Sequence, residues 1–144
     1  MSTETGRRRP QEETPRHGSP ALNGGPPARL LVVDDESTVT ELLQEFLASL
    51  GYEVEVASSG AAAVARIPVF RPDVVLSDLN MAGLTGLDVM RSSRQTDEDT
   101  VVILITGETT TAVAIDAMRQ GAYDYIIKPF ELDDVRGSVE RALA

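Results

Sequence analysis

Four short apolar runs in this chain end in side chains that could do chemistry. Asp34, Asp35 and Glu36 follow Leu30-Leu31-Val32-Val33, and Asp78 follows Val74-Val75-Leu76-Ser77. Thr106 and Gly107 follow Val101 to Ile105, and Lys128-Pro129 follow Tyr125-Ile126-Ile127. Were these run ends brought together, several carboxylates, a hydroxyl and an ammonium would share one small volume. Two unit charges ~4 Å apart repel by about 4 kcal/mol at an effective dielectric near 20. Asp34, Asp35 and Asp78 would then need protons or a cation. A hard divalent ion with oxygen ligands answers that need. Mg²⁺ suits few carboxylates and several waters, whereas Ca²⁺ takes more protein ligands than this set offers. An aspartate beside such an ion can attack phosphorus and form an aspartyl phosphate. Lys128 can supply an ammonium and Thr106 a hydroxyl to the transferring group, and Gly107 has no side chain to block its backbone N–H.

The elements that must position these residues are legible from hydrophobic spacing. Leu30 to Val33 reads as a buried strand. Val39, Leu42, Leu43, Phe46, Leu47 and Leu50 fall on one helical stripe, stopped by Gly51. Tyr52 to Ala57 alternates as a second strand, and Ser59 to Ile67 reads as a helix stopped before Pro68. Asp73 to Ser77 is a third strand, Gly86 to Arg94 a helix, and Val101 to Ile105 a central strand. Thr111 to Gln120 is a helix closed by Gly121, Ala122 to Ile127 a fifth strand, and Leu132 to Leu143 a last helix. Strands alternating with helices predict an α/β fold, a doubly wound five-stranded parallel sheet with five helices. The flavodoxin-like order 2-1-3-4-5 is the expected arrangement, with ligands outside the carboxyl ends of the strands. That order makes strands 1, 3, 4 and 5 neighbours, so the four run ends converge.

Composition bounds the rest. The chain has 144 residues, enough for one compact domain. Residues 1–28 hold five of the eight prolines and four of the eleven glycines, and read as a disordered tail; residues 29–144 read as the domain. Four arginines and three glutamates give the tail a balance of +1, and the remaining residues carry −11 of the net −10. Nucleic-acid phosphates would repel such a domain, so no direct nucleic-acid binding is expected. There is no cysteine, hence no disulfide or thiolate site. No apolar run reaches the length of a membrane span, so the expectation is a cytoplasmic protein without membrane insertion. His17 lies in the tail, leaving residues 29–144 without an internal phosphohistidine donor, and no Walker-type glycine loop is present.

From Arg29 to Ala144 the chain resembles the receiver domain of two-component response regulators, of the chemotaxis-regulator type. The pieces that carry the resemblance are Leu31-Val32-Val33-Asp34-Asp35, Val74 to Met81 with Gly86, Ile105-Thr106-Gly107, and Gly121-Ala122-Tyr123-Asp124-Tyr125-Ile126-Ile127-Lys128-Pro129-Phe130. The resemblance implies that Asp78 is the phosphoacceptor. It implies that Asp35, Asp78 and the Asn80 backbone carbonyl ligate Mg²⁺, with Asp34 acting largely through water. Lys128 and Thr106 would bind phosphoryl oxygens, and the Lys128–Pro129 peptide would be cis. Tyr125 would be a switch aromatic following Thr106; read as a residue alone, it is a strand tyrosine with its hydroxyl in water. Asn80 and Glu108 would tune access of hydrolytic water. The family usually has proline four residues after the phosphoacceptor, where this chain has Ala82 followed by Gly83.

The partners so implied are a sensor histidine kinase or phosphotransfer protein as donor, and an effector protein reading the helix 4–strand 5–helix 5 face. Many receivers dimerise on activation, so a phosphorylation-dependent homodimer belongs to the same expectation. The chief alternative is a phosphorylation-independent interaction or localisation scaffold on the same fold. An aspartyl phosphohydrolase of another family would show a second Asp two residues after the nucleophile, where Asn80 stands, and a flavin phosphate would meet an acidic turn after the first strand.

Overall fold

The computed structural model describes residues 25–107 and 110–144. Five strands and five helices alternate along it: β1 Arg29–Val33, α1 Ser37–Ser49, β2 Glu53–Ala57, α2 Gly60–Phe70, β3 Val74–Ser77, α3 Gly86–Thr96, β4 Val101–Thr106, α4 Thr111–Arg119, β5 Asp124–Ile127 and α5 Leu132–Leu143. The strands form one parallel sheet in the order β2-β1-β3-β4-β5, as the alternating pattern predicts.

The central strands are apolar from Leu30 to Val33, Val74 to Leu76 and Val101 to Ile105 because both sheet faces are covered. Successive side chains point to opposite faces. Leu31, Val33, Val75, Val102 and Leu104 therefore join one core with Ala63, Ile67, Phe70, Val89, Met90 and Ala117 from α2, α3 and α4. Leu30, Val32, Val74, Leu76, Ile103 and Ile105 join the other with Leu43, Leu47, Val135, Val139 and Leu143 from α1 and α5. A parallel sheet with two covers leaves its strand ends as the open rim, and the polar residues gather there.

Two expectations about the helices are corrected. Helix α2 does not stop before Pro68 but runs through it to Phe70. Proline removes one helical N–H and crowds the preceding turn, a cost of ~3 kcal/mol in a helix interior. Here it falls in the last turn, where continuing the helix buries Phe70 three residues after Ile67 in the same core. Burying a phenylalanine side chain contributes ~1.5–3 kcal/mol, comparable to that cost. Arg71 then ends the helix in the left-handed region at φ 52°, with its N–H donating to the Ile67 carbonyl at 2.9 Å. The Arg29 side chain donates to the Phe70 and Arg71 carbonyls at 2.8 and 3.1 Å, satisfying the helix end.

The second correction concerns α1. Leu42 was expected in its buried stripe but is 46% exposed, while Thr40 is buried. The Thr40 hydroxyl donates to the Ser37 carbonyl at 3.1 Å, which lets a polar residue turn inward. The remaining differences lie at element ends: β2, β3 and β5 start one or two residues later than their apolar runs suggest, and α3 extends to Thr96. The proposed tail lies outside the described residues up to residue 24; its last residue, Ala28, instead belongs to the domain, buried in the core with Leu30 and accepting from the Glu53 N–H at 3.0 Å.

Candidate functional site: an acid cluster and a lysine at the carboxyl rim of the sheet

Backbone hydrogen bonds fix where the rim residues sit. Val33 pairs with Ser77 across β1 and β3, so Asp34 and Asp78 leave the sheet side by side. The Asp78 N–H donates to the Val33 carbonyl at 2.9 Å, and the Asp34 N–H to the Ala57 carbonyl at 3.2 Å. On the other side, Thr106 pairs with Ile127 across β4 and β5, and the Lys128 N–H donates to the Thr106 carbonyl at 2.9 Å. Asp34, Asp78 and Lys128 are thus each one residue beyond a ladder position, and Thr106 occupies one.

The side chains meet. One carboxylate oxygen from each of Asp34, Asp35 and Asp78 lies within 4.8 Å of the other two. The Lys128 ammonium donates to Asp34 Oδ2 at 2.8 Å, to Glu36 Oε1 at 3.1 Å and to Asp78 Oδ2 at 3.5 Å. Asp34 and Asp78 are buried, Asp35 and Glu36 exposed. The Glu36 N–H donates to Asp34 Oδ1 at 2.9 Å and the Asn80 N–H to Asp78 Oδ1 at 3.3 Å, so each buried carboxylate also has a backbone donor.

Electrostatics follow from burial. Loss of water pushes the Asp34 carboxyl above the usual carboxylate range; the hydrogen bonds from Lys128 and the Glu36 N–H only partly offset that, and the Asp78 charge adds to it. Burial alone would pull the Lys128 ammonium down. Its hydrogen bonds to Asp34 and Glu36 and the nearby charges outweigh burial and hold it above its ordinary value. Both partners of the Asp34–Lys128 pair thus shift upward, Asp34 through burial and Lys128 through its carboxylate partners. One positive charge against Asp34, Asp35, Glu36 and Asp78 leaves the rim strongly negative.

That surplus of hard oxygen donors fits Mg²⁺, with Asp34, Asp35 and Asp78 as the side chains that would hold it. Asn80, the sequence candidate for a backbone ligand, lies two residues beyond Asp78 and is exposed. Thr106 is buried at the end of β4. Gly107 is exposed, and a Cβ built on it would meet nothing within 4 Å, so open space lies beside its backbone. Tyr125 is half-buried on β5 against the core shared with α2, α3 and α4. The Lys128–Pro129 peptide is cis. Glu108 lies outside the described residues.

The loop from β3 to α3 carries Ala82 where the resemblance would put proline. Gly83 takes its turn at φ 81°. Thr85 closes the loop with a capping box: its hydroxyl accepts from the Asp88 N–H, and the Asp88 carboxylate accepts from the Thr85 N–H at 2.9 Å. Gly86 packs directly beneath the acid site. A Cβ there would lie 2.5 Å from the Asp78 carbonyl oxygen and 2.9 Å from Leu79 Cα.

Two features were not visible in the sequence. The sequence pattern gives Glu36 no partner, yet its carboxylate accepts from the Lys128 ammonium at 3.1 Å. Gly60, the first residue of α2, was not singled out, yet a Cβ there would overlap Leu84 of the β3–α3 loop. No motif carries either contact, since both partners are distant in the chain.

Residues 30–140 match the family model described as the response regulator receiver domain. The Regulatory protein AtoC of Escherichia coli (strain K12) is 39% identical over 115 residues, covering 80% of this chain and 25% of that protein. The Response regulator MprA of Mycobacterium sp. (strain KMS) is 38% identical over 109 residues, covering 76% of this chain and 47% of that protein. The chain thus spans a quarter to a half of these relatives. A response regulator receiver domain protein from Clostridium thermocellum superimposes with a TM-score of 0.76 at 33% identity, covering 81% of this chain and 94% of that one. The chemotaxis protein CheY4 of Vibrio cholerae does so with 0.75 at 30% identity, covering 81% and 98%. On the family match and these likenesses together, the chain belongs to the response regulator receiver domain family.

Proposed function

We propose that this chain is a phosphorylation switch in which Asp78 takes a phosphoryl group from a phosphohistidine on a sensor histidine kinase or phosphotransfer protein. An Asp78 carboxylate oxygen bonds to phosphorus as the phosphorus–nitrogen bond breaks, and the histidine nitrogen departs with its electron pair. The observation that carries this reading is the meeting of Asp34, Asp35 and Asp78 oxygens within 4.8 Å beside the Lys128 ammonium. Asp34, Asp35, Asp78 and the Asn80 carbonyl hold Mg²⁺, which when bound neutralises charge on the transferring phosphoryl group. Lys128, the Thr106 hydroxyl and the Gly107 N–H receive its oxygens. The phosphorylated form persists briefly, because the polar Asn80 and the small Gly107 admit water.

The readout surface is the α4–β5–α5 face. Ile115, Met118, Tyr123 and Ile127 are each 43–48% exposed there, apolar area in keeping with a protein partner or a second copy. Thr106 moves toward the phosphoryl group and Tyr125 turns inward, biasing that face between two states. The protein works in the cytoplasm; among the described residues no helix is long and apolar enough to cross a membrane.

The test is phosphoryl uptake from acetyl phosphate or a phosphorylated kinase, read by mass and gel mobility. Uptake is expected in the wild type with Mg²⁺, and neither in Asp78→Asn nor in chelator. Uptake surviving either change would overturn the reading and favour the scaffold alternative.

A further inference from the structure

We propose that Glu36 is a positioning residue for Lys128, holding one of its donors until a phosphoryl oxygen displaces it. The inference rests on reading Asp78 as the phosphoacceptor, and deepens it by naming a competitor for the lysine. An ammonium has three N–H donors and accepts nothing. In this structure Lys128 faces three carboxylates, at 2.8 Å (Asp34), 3.1 Å (Glu36) and 3.5 Å (Asp78). The longest contact is the one to the phosphoacceptor. Lys128 is drawn toward the β1 side of the rim, away from the group it must serve.

For Lys128 to engage a phosphoryl group on Asp78, one existing contact has to yield. The Asp34 contact is short, and the Asp34 side chain is only 3% exposed, so giving it up would strand a buried carboxylate. The Glu36 side chain is 61% exposed and regains water as soon as it lets go. Glu36 is therefore the partner that can be surrendered at least cost. It keeps the ammonium oriented over the rim in the resting state and competes with the phosphoryl oxygen in the activated one. Its side chain does not cap α1: the helix is entered through the Glu36 carbonyl, which accepts from Val39 and Thr40. Variants at this position should fold.

The experiment compares Glu36→Ala and Glu36→Asp with the wild-type full chain at saturating Mg²⁺, titrating beryllofluoride as the phosphoryl analogue. Glu36→Asp keeps the charge but shortens the reach by one methylene. Exposed ion pairs contribute ~0.2–1 kcal/mol, so both variants should bind beryllofluoride roughly 1.4- to fivefold more tightly. The Lys128 side-chain resonances of the Mg²⁺-free protein should shift in both as well. Unchanged affinity in both variants, or tighter binding in Glu36→Ala with Glu36→Asp like the wild type, would overturn the inference, the latter by reducing Glu36 to a distant charge. Failure of the wild type to bind beryllofluoride at all would instead overturn the assignment of Asp78. The Lys128 resonances would still report the contact in that case, and their indifference to both substitutions would refute it.

Discussion

The Lys128 N–H donates to the carbonyl of Thr106 at 2.9 Å. The ammonium and the hydroxyl proposed to share the phosphoryl group therefore hang from two strand ends joined by the last bond of the β4–β5 ladder. Movement of either end is felt by the other, a direct physical link between the acid site and the exposed edge strand β5.

Crowding of carboxylates should make the magnesium-free site a stability defect. Asp34 has its carboxyl raised by burial. A raised acid favours folding below its unfolded value and loses that contribution as pH climbs through the folded one, so at neutral pH the ionised group opposes folding. Asp34→Asn should raise Tm without Mg²⁺ by roughly 2–5 °C. Saturating Mg²⁺ should raise the wild type more than the variant, since an ion binding only the folded state stabilises it. Calorimetry with and without chelator checks both.

Gly86→Ala should damage both site and fold. Its Cβ would lie 2.5 Å from the Asp78 carbonyl oxygen, backbone that cannot swing aside. Overpacking of this kind costs ~1–3 kcal/mol. Urea unfolding should show that loss, with slower phosphorylation of Asp78 in the molecules still folded. Gly107→Ala, where a Cβ meets open space, should leave the urea midpoint unchanged.

Pro68→Ala should stabilise the protein. Pro68 lies exposed within α2 and cannot donate to the carbonyl one turn earlier. Alanine restores that bond, while the freer unfolded chain takes back ~0.4–1 kcal/mol. A net gain of about 1–2 kcal/mol in urea unfolding, with phosphoryl uptake unaltered, is the expected result.

Alkaline unfolding should begin at Tyr52. Burial, and then the charge of Glu140, raise its phenol above the ordinary value, with Arg136 partly offsetting them. A raised phenol contributes stability that is intact below its unfolded value of 10.0 and lost as pH rises through the folded one. Stability should fall as pH climbs beyond that point, and Tyr52→Phe should flatten the fall. Phenolate absorbance followed alongside unfolding would show Tyr52 titrating together with the loss of structure.

Much of this protein was legible in its letters. The runs Leu30–Val33 and Val101–Ile105 are apolar at every position, which only a sheet covered on both faces requires. Asp34, Asp78, Thr106 and Lys128 stand just past such runs, so topology alone brings them together. Local chemistry did less well where neighbours decide. Pro68 signals a helix end, yet the core claims Phe70 two residues later; Leu42 fits a helical stripe, yet Thr40 turns inward instead. Glu36 lies 92 residues from Lys128 in the chain, and no spacing rule measures the reach between them. Periodicity records which face of an element is buried, because that is a property of one segment. Which partner a side chain touches is a property of two segments packed together, and only the folded molecule determines it.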